Sequence, residues 1–564
     1  MLIFIASCQT EHFDEHSILS IGSERLKLSG LRSGYWSNQL PTWLLWAAGA
    51  AIAVALLLPL FYLIIRAAEA GPAAWQNLWR INTLATLLRT IGLAAAVTLL
   101  SGAIAAPLAW LTVRTDVPWR GLWAILAPLP LVFPSYVGAY LLVSLFGPRG
   151  LLQQLLEPIW GVERLPEIYG FPGALLTMTL LSYPYMFTSM RAALLRQDPA
   201  LEEAARSLGD GGVRTFWRVS LPLLRPAIGA GGLLVALYTL RDFGAVAIMR
   251  YDTFTRAIYI QYRSFDRSQA ALLALLLVGI TLLFVWVEAR MRLRGRYVQG
   301  DTGAVRPQPI LHLGWWRWPA FCFCAAVALF SLILPALVLV YWLVRGLLVH
   351  ETIPALGQAI GHSVLASGLA AIVITLAALP VAILVVRHAG RLSNLLERLT
   401  YSAFALPGIV IALALVFFGA NHAPWLYQTL PLLILAYGVL FLPQALGVVR
   451  ASLLQINPSL MEAARSLGKN RWRVLWDITL PLLRPGLWGS LSLIFLTAMK
   501  ELPATLLLAP IGFSTLATAV WSAVSEAFFA AAAAPALLIV LLSSLPMLFE
   551  IIREKGHERN SRPL

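Results

Sequence analysis

The chain is 564 residues long, 59% hydrophobic and only 12% charged, with a mean hydropathy of +0.76; this balance excludes an ordinary soluble domain and points to a polytopic membrane protein. Lys and Arg number 42 against 27 Asp and Glu, a formal charge of +15; cytoplasmic loops of membrane proteins carry such an excess, so no nucleic-acid partner is implied. The three cysteines, Cys8, Cys322 and Cys324, have no neighbouring ligand set and predict neither a disulfide framework nor a metal site.

Residues 1–41 read as a polar cytosolic tail. The stretch FIASC at 4–8 faintly resembles a lipoprotein cleavage box, but no basic residue precedes it and its apolar run is too short for a signal peptide. A spanning helix needs about 20 largely apolar residues. Such stretches fall near 42–66, 84–113, 118–146, 173–195, 226–249 and 268–290, six in a first half covering 42–290. A basic segment with Arg290, Arg292, Arg294 and Arg296, then Gly and Pro, reads as a cytosolic linker over 291–318. Six more stretches follow near 319–346, 359–387, 393–419, 427–453, 485–508 and 530–552, a second half over 319–552, and 553–564 reads as a cytosolic tail. The expectation is an all-α membrane protein of about twelve spans in two six-helix halves. Lys and Arg are retained on the cytoplasmic face, and Arg114, Arg120, Arg191 to Arg225, Arg387 to Arg398 and Arg450 to Arg484 all fall on one side, which makes both termini cytosolic. Residues 250–267, with four Arg, would face outward against that rule and suggest a re-entrant or pore-rim segment.

The strongest internal signal is a repeat. Residues 203–226 read EAARSLGDGGVRTFWRVSLPLLRP and 462–485 read EAARSLGKNRWRVLWDITLPLLRP, fifteen of 24 positions identical at an offset of 259. The register continues through Pro184 with Pro443, Arg191 with Arg450, Pro199 with Pro458, and Arg241-Asp242 with Lys500-Glu501. Each copy lies between the fourth and fifth span of its half. Asp198-Pro199 and Asn457-Pro458 set a capping side chain before a proline at the first helical position. Gly209 and Gly468 are natural terminators. Each copy therefore predicts a helix of roughly three turns, with Leu201, Ala204, Ala205 and Leu208, or Leu460, Ala463, Ala464 and Leu467, as an apolar stripe of small residues. A single such helix could rest at the membrane interface; two near-identical copies, each followed by Leu-Pro (Leu221-Pro222, Leu480-Pro481), point instead to a partner.

The EAA triplet, the glycine after a short interval and the Leu-Pro pair resemble the cytoplasmic loop of the permease subunits of binding-protein-dependent ABC importers (type I, MetI-like), and the resemblance covers about residues 42–552. It implies that Glu203, Ala204, Ala205 and Gly209, in the loop 196–225, and Glu462, Ala463, Ala464 and Gly468, in the loop 455–484, dock in a cleft of an ATPase subunit. It also implies two ATPase copies, a periplasmic or lipid-anchored substrate-binding protein, the bacterial inner membrane as location, and no covalent chemistry in this chain. The phosphate loop G-x-x-x-x-G-K-[ST] is absent: Gly468-Lys469-Asn470 lacks the upstream Gly and the hydroxyl. ATP and Mg would therefore be bound by the partner. The rivals are a secondary transporter of repeated halves driven by an ion gradient and a non-transporting scaffold that holds an ATPase.

Further segments, Lys500 to Leu507, Ser514 to Thr518, Arg241 to Gly244 and Tyr251 to Asp266, resemble the fused ferric-iron importer permeases, with thiamine, polyamine and oxyanion carriers as relatives that share the loop. Charges inside spans are costly and face a water-lined path or a partner. Arg241, Asp242, Lys500 and Glu501, at equivalent positions of the halves, are accordingly candidates for the translocation path, with ion pairing that fixes helix packing as the alternative. Tyr251, Asp252, Tyr259, Tyr262 and Asp266 offer the hard oxygen ligands that ferric iron favours, or else form a docking rim. Between Pro134 and Glu203 lie 69 positions, against 55 between Pro407 and Glu462; the extra residues, around 157–172, would make an asymmetric outward contact with a binding protein.

Overall fold

In an apolar medium no water satisfies backbone N–H and C=O groups, so each apolar run closes its hydrogen bonds within itself as a helix. The computed structural model describes residues 42–78, 81–294, 310–349, 356–388, 390–403 and 406–560. Among these the regular structure is helical, with one isolated parallel bridge between Thr115 and Leu311. The expected tail at 1–41 and residues 295–309 of the expected linker lie outside the described residues.

By length and composition eight described helices can cross a membrane, or ten if each of two bent pairs is one span. The sequence predicts about twelve. The other two expected spans are helical in place: Phe171–Arg196 threads Thr177, Thr179, Ser182 and Pro184 among its apolar residues, and the expected span at 530–552 lies within the helix Phe529–Asn560. The bent pairs replace the straight spans expected at 118–146 and 393–419. Arg120–Val132 and Ser135–Trp160 meet at 97°, with Pro134 extended at φ −61° and ψ 149° at the turn. Pro407, at φ −64° and ψ 142°, opens Gly408–His422 in the same way. Proline has no N–H to continue a helix and holds its predecessor out of the helical region, so the chain turns there.

The contacts divide the chain into two compact units that do not follow the sequence halves. The smaller joins the described residues up to Arg66 to Gly357–Thr515; the larger joins Ala67–Leu356 to the residues from Leu516 onward. In the larger unit the helix Ile81–Arg114 buries Leu93, Ala94, Val97, Ser101, Ala105, Leu108 and Thr112, spaced three and four apart, on one face. Leu84, Leu88, Leu99 and Leu100 point outward. Small residues let its neighbours approach: a Cβ at Gly231 would come within 2.8 Å of the Met186 backbone, and Ser101 and Ser182 meet at 3.3 Å. In the smaller unit Gly408–His422 is buried nearly all round, Thr375 meets Ser490 at 2.9 Å, and Tyr62 donates to the Phe417 carbonyl at 3.0 Å.

Candidate functional site

The two copies of the repeated motif fold alike. The first loop helix is Pro199–Ser207 and the second Pro458–Ser466, nine residues each, about two and a half turns at 3.6 residues per turn. Asp198 accepts the Ala200 N–H at 3.0 Å and Asn457 the Ser459 N–H at 3.1 Å; each cap satisfies one of the orphan donors of a helix start. At the other end Gly209 and Gly468 sit at φ 92° and 81°. The glycine N–H bonds the carbonyl of Arg206 or Arg465 at 3.0 or 2.9 Å, and the next N–H bonds that of Ala205 or Ala464 at 3.1 or 3.2 Å. This doubled closure needs the left-handed conformation at one residue, which glycine adopts without steric cost.

Beyond each helix the chain makes a short helical turn and then a π turn, Phe216–Ser220 or Leu475–Thr479, before the Leu-Pro pair. Leu221 bonds back five residues to the Phe216 carbonyl, and Pro222, lacking an N–H, cannot donate within the next turn. The π register is the local answer to that missing donor.

The apolar stripe is only partly free. Leu201 and Leu208 are 50% and 89% exposed, and Leu460 and Leu467 are 50% and 83% exposed. Ala204 and Ala463 are exposed, Ala205 half-buried and Ala464 buried. Glu203 is exposed on the first helix; the side chain of Glu462 lies outside the described ones. Trp217 and Trp476, equivalent at the offset of 259, are each 62% exposed beside the helices, a pair that the sequence reading missed and the repeat register makes visible. One further pair keeps its place but reverses its charges: Asp210 faces Arg218 at 3.8 Å, whereas Lys469 faces Asp477 at 2.8 Å.

Beneath the helices the copies diverge. In the first, Glu202 points inward to a buried ion pair with Arg114, Nη2 to Oε1 at 3.0 Å; Arg114 also donates to Gln197 at 3.1 Å, and the Ser220 hydroxyl to Glu202 at 2.7 Å. In the second, Met461 takes the place of Glu202 and Thr479 that of Ser220, with Arg387 Nη1 3.7 Å and Thr479 Oγ1 3.5 Å from the Met461 sulfur.

The candidate path residues are built into turns. Asp242 ends the helix Leu221–Arg241, and its Oδ2 accepts the N–H of Ala245 at 2.9 Å and Val246 at 3.4 Å, capping the short helix Gly244–Ile248. Thr255 donates to its carbonyl at 2.7 Å. Glu501 stands likewise before Pro503–Leu508: Oε1 accepts the Ala504 N–H at 3.3 Å, Thr505 donates to its carbonyl at 2.6 Å, and Tyr437 meets Thr505 at 2.6 Å. Arg241 and Lys500 are half-buried beside them. The carboxylates thus fix the breaks that end the two helices following the loops.

The two carboxylates of the oxygen-rich set near 251–266 are engaged in local contacts. Asp252 pairs with Arg256 and, at 3.4 Å, with Arg89. Asp266 caps the Gln269 N–H at 3.0 Å, and Tyr259 lies against the Phe243 ring at 4.9 Å. Among the described residues no group of three His, Cys, Asp or Glu side chains is placed to hold a metal ion. The segment itself is the helix Phe254–Arg263, entered at Arg250 and left at Phe265 with φ 53° and 63°. The extra residues near 157–172 end the helix Leu151–Trp160 and continue with an exposed Arg164 to Glu167 pair at 2.9 Å.

An all-helical, multi-pass membrane protein with two copies of one loop device is a transport permease built from duplicated halves. The chain belongs to the binding-protein-dependent transport system inner membrane component family, whose model matches residues 125–293 and 374–553, one copy in each half. It is 35% identical to the Fe(3+)-transport system permease protein FbpB 2 of Haemophilus influenzae over 88% of this chain and 95% of that one. It is 27% identical to the ferric transport system permease protein FbpB of Actinobacillus pleuropneumoniae over 76% of this chain and 65% of that one. The sulfate transport system permease protein CysT of Salmonella typhimurium matches at 27% over 44% of this chain and 91% of its own length. As a permease subunit of an ABC importer, the chain is a transport component and not a catalytic enzyme.

Proposed function

We propose that this chain forms the translocation path for iron(III) and is driven by a separate ATPase, two copies of which dock on the loop helices Pro199–Ser207 and Pro458–Ser466. The observation that carries the reading is the duplicated loop helix. Both copies keep cap, glycine closure and π turn, and both leave leucines exposed at equivalent positions, at Leu208 and Leu467 by more than four-fifths, a repeated apolar surface of the kind that marks an interaction site. Glu203, Ala204, Ala205 and Gly209, with Glu462, Ala463, Ala464 and Gly468, form the docking faces. The loops and both termini face the cytosol, and a binding protein delivers cargo from the other side.

Closure of an ATPase pair against two helices held by their caps moves each as a rigid piece, and the halves exchange inward- and outward-open states. The π turns, which end at the Leu-Pro pairs, lie between loop helix and span, so displacement of the one is delivered to the other. Two likenesses to ferric permeases favour iron over the oxyanion carried by the sulfate relative.

ATP-dependent uptake of radioactive ferric iron into proteoliposomes holding this chain, its ATPase and its binding protein tests the reading. Uptake that is present in the wild type and lost in E203A/E462A supports it. Sulfate uptake without iron uptake would move the cargo to the oxyanion class, and iron uptake that follows an ion gradient without ATP would make the chain a secondary transporter.

A further inference from the structure

Residues 250–267 follow the span Phe216–Arg241 at the end remote from the first loop helix, and they carry the wrong charge for that place. Arg250, Arg256, Arg263 and Arg267 stand there against Asp252 and Asp266, whereas short loops opposite the cytosolic face are poor in cations. Asp252 is engaged by Arg256 and Arg89, and Asp266 caps the Gln269 N–H at 3.0 Å. Arg250 lies over the Tyr169 ring at 5.0 Å and Arg263 lies 3.4 Å from the Tyr259 hydroxyl, neutral groups that leave the charges in place. Arg250, Arg263 and Arg267 are exposed. Between the last two, Phe265 is 82% exposed and held at φ 63°, a costly conformation for a bulky residue.

The second half builds the same turn from other residues. The helix Phe254–Arg263 corresponds to Leu516–Ser525 at an offset of 262. Phe265 and Ala527 share φ 63°. The N–H groups of Phe265, Asp266 and Arg267 bond the carbonyls of Tyr262, Gln261 and Phe265, just as those of Ala527, Phe528 and Phe529 bond Val524, Ala523 and Ala527. The charges do not follow the backbone: residues 254–267 hold three Arg and one Asp, whereas 516–529 hold Glu526 alone. Arg267 becomes Phe529, and Asp266 becomes Phe528, 56% exposed. Within the larger unit the two helices meet through Tyr259 and Trp521, ring centroids 6.4 Å apart. These two residues are themselves equivalent at the offset of 262. A residue meets its own counterpart only near a twofold axis, so a local pseudo-twofold axis passes between the helices. A partner seated over that axis would find two docking directions, half a turn apart, on nearly the same backbone.

Resting on the reading that this rim faces away from the cytosol and receives the binding protein, we infer that the charge difference selects one of the two directions. An acidic face of the binding protein seats on Arg263, Phe265 and Arg267, and a neutral, partly apolar face seats on the turn that bears Phe528. In the reversed direction Glu526 repels the acidic face, and like charges across an interface reject the wrong arrangement. Arginine and aromatic side chains are favoured at such contacts. Exposed charges at a rim act chiefly on the rate of association and on its dependence on salt.

The test follows association of the purified binding protein with the complete complex of chain and ATPase in nanodiscs, as a function of ionic strength. Wild type is expected to associate more slowly as salt rises. R263E/R267E should lower the low-salt rate at least about tenfold and remove that salt dependence, while ATP hydrolysis at saturating binding protein stays within about twofold. The neutral R263Q/R267Q should move the same way by less, and E526Q should stay within about twofold of wild type. Unchanged rates in both arginine variants, or an equal loss in E526Q, overturn the inference. Loss of bound anionic phospholipid from the arginine variants with association unchanged also overturns it, and would assign the rim to the lipid surface. Failure of the underlying reading is a separate outcome: S264C in a cysteine-free chain would react with a membrane-impermeant maleimide only after the membrane is opened.

Discussion

The two loop helices keep the same outside and differ on the inside. Caps, glycine closures, π turns, exposed leucines and exposed tryptophans agree position for position. Outside, an ion pair has survived with its charges exchanged, Asp210 with Arg218 against Lys469 with Asp477. Inside, Glu202 with Arg114 has become Met461 beside Arg387. An exposed pair needs only opposite charges in reach, and either order serves; a buried carboxylate needs every one of its contacts, so it is either retained entire or replaced. The outer surface is thus held constant where a common partner would bind, and the inner support is free to diverge.

The comparison breaks most sharply at the buried pair. E202A leaves Arg114 without its carboxylate and is expected to cost about 3–5 kcal/mol, against less than about 1.5 kcal/mol for the volume-conserving M461L. Thermal unfolding of the purified variants measures the difference, and equal losses would mean that the two supports are energetically alike. The glycines should behave as a matched pair instead. G209V and G468V place a branched side chain at φ 92° and 81°, at about 1–2 kcal/mol each; both should weaken ATPase copurification to a similar degree, while G211A, at a position without positive φ, should not.

Smaller effects sharpen the outer half of the comparison. The exchange D210K/R218D writes the second copy's charge order into the first; Arg218 is 60% and Asp210 19% exposed, and the exchange also gives up the Asp210 contact with Arg214 at 3.0 Å, so a loss of about 1 kcal/mol is expected, as read by the same thermal assay; a much larger loss would show that the two surfaces are not interchangeable. Least of all is the pH response of Asp116. The Leu313 N–H, then His312, holds its carboxyl below the ordinary value. A depressed carboxylate contributes at neutral pH, and its contribution is lost only as pH falls through the ordinary carboxylate range and below. The protection of the Leu313 amide, taken as its hydrogen exchange relative to the intrinsic rate at each pH, should therefore hold from pH 7 down to about 5 and fall in stronger acid.

Much of this was legible in the sequence. Apolar runs placed the spans, Asp198-Pro199 and Asn457-Pro458 the helix starts, and Gly209 and Gly468 their ends, because each signal is local. The turns at Pro134 and Pro407 were not, since a run of apolar residues reads the same whether straight or bent. Nor was the grouping of the helix up to Arg66 with Gly357–Thr515, which joins residues some three hundred positions apart. Arg114 ends its span as any interfacial arginine would, and Glu202 sits beside the exposed Glu203, so composition gives no hint that one carboxylate of two turns inward. Asp242 and Glu501 were visible as costly charges; that they cap the following turns depends on backbone geometry.

The central claim is that each loop helix seats its own ATPase, and the native mass of the purified wild-type complex tests it most directly. Two ATPase copies for each copy of this chain is the predicted result. A complex with a single ATPase, or a chain that purifies without any, would contradict it.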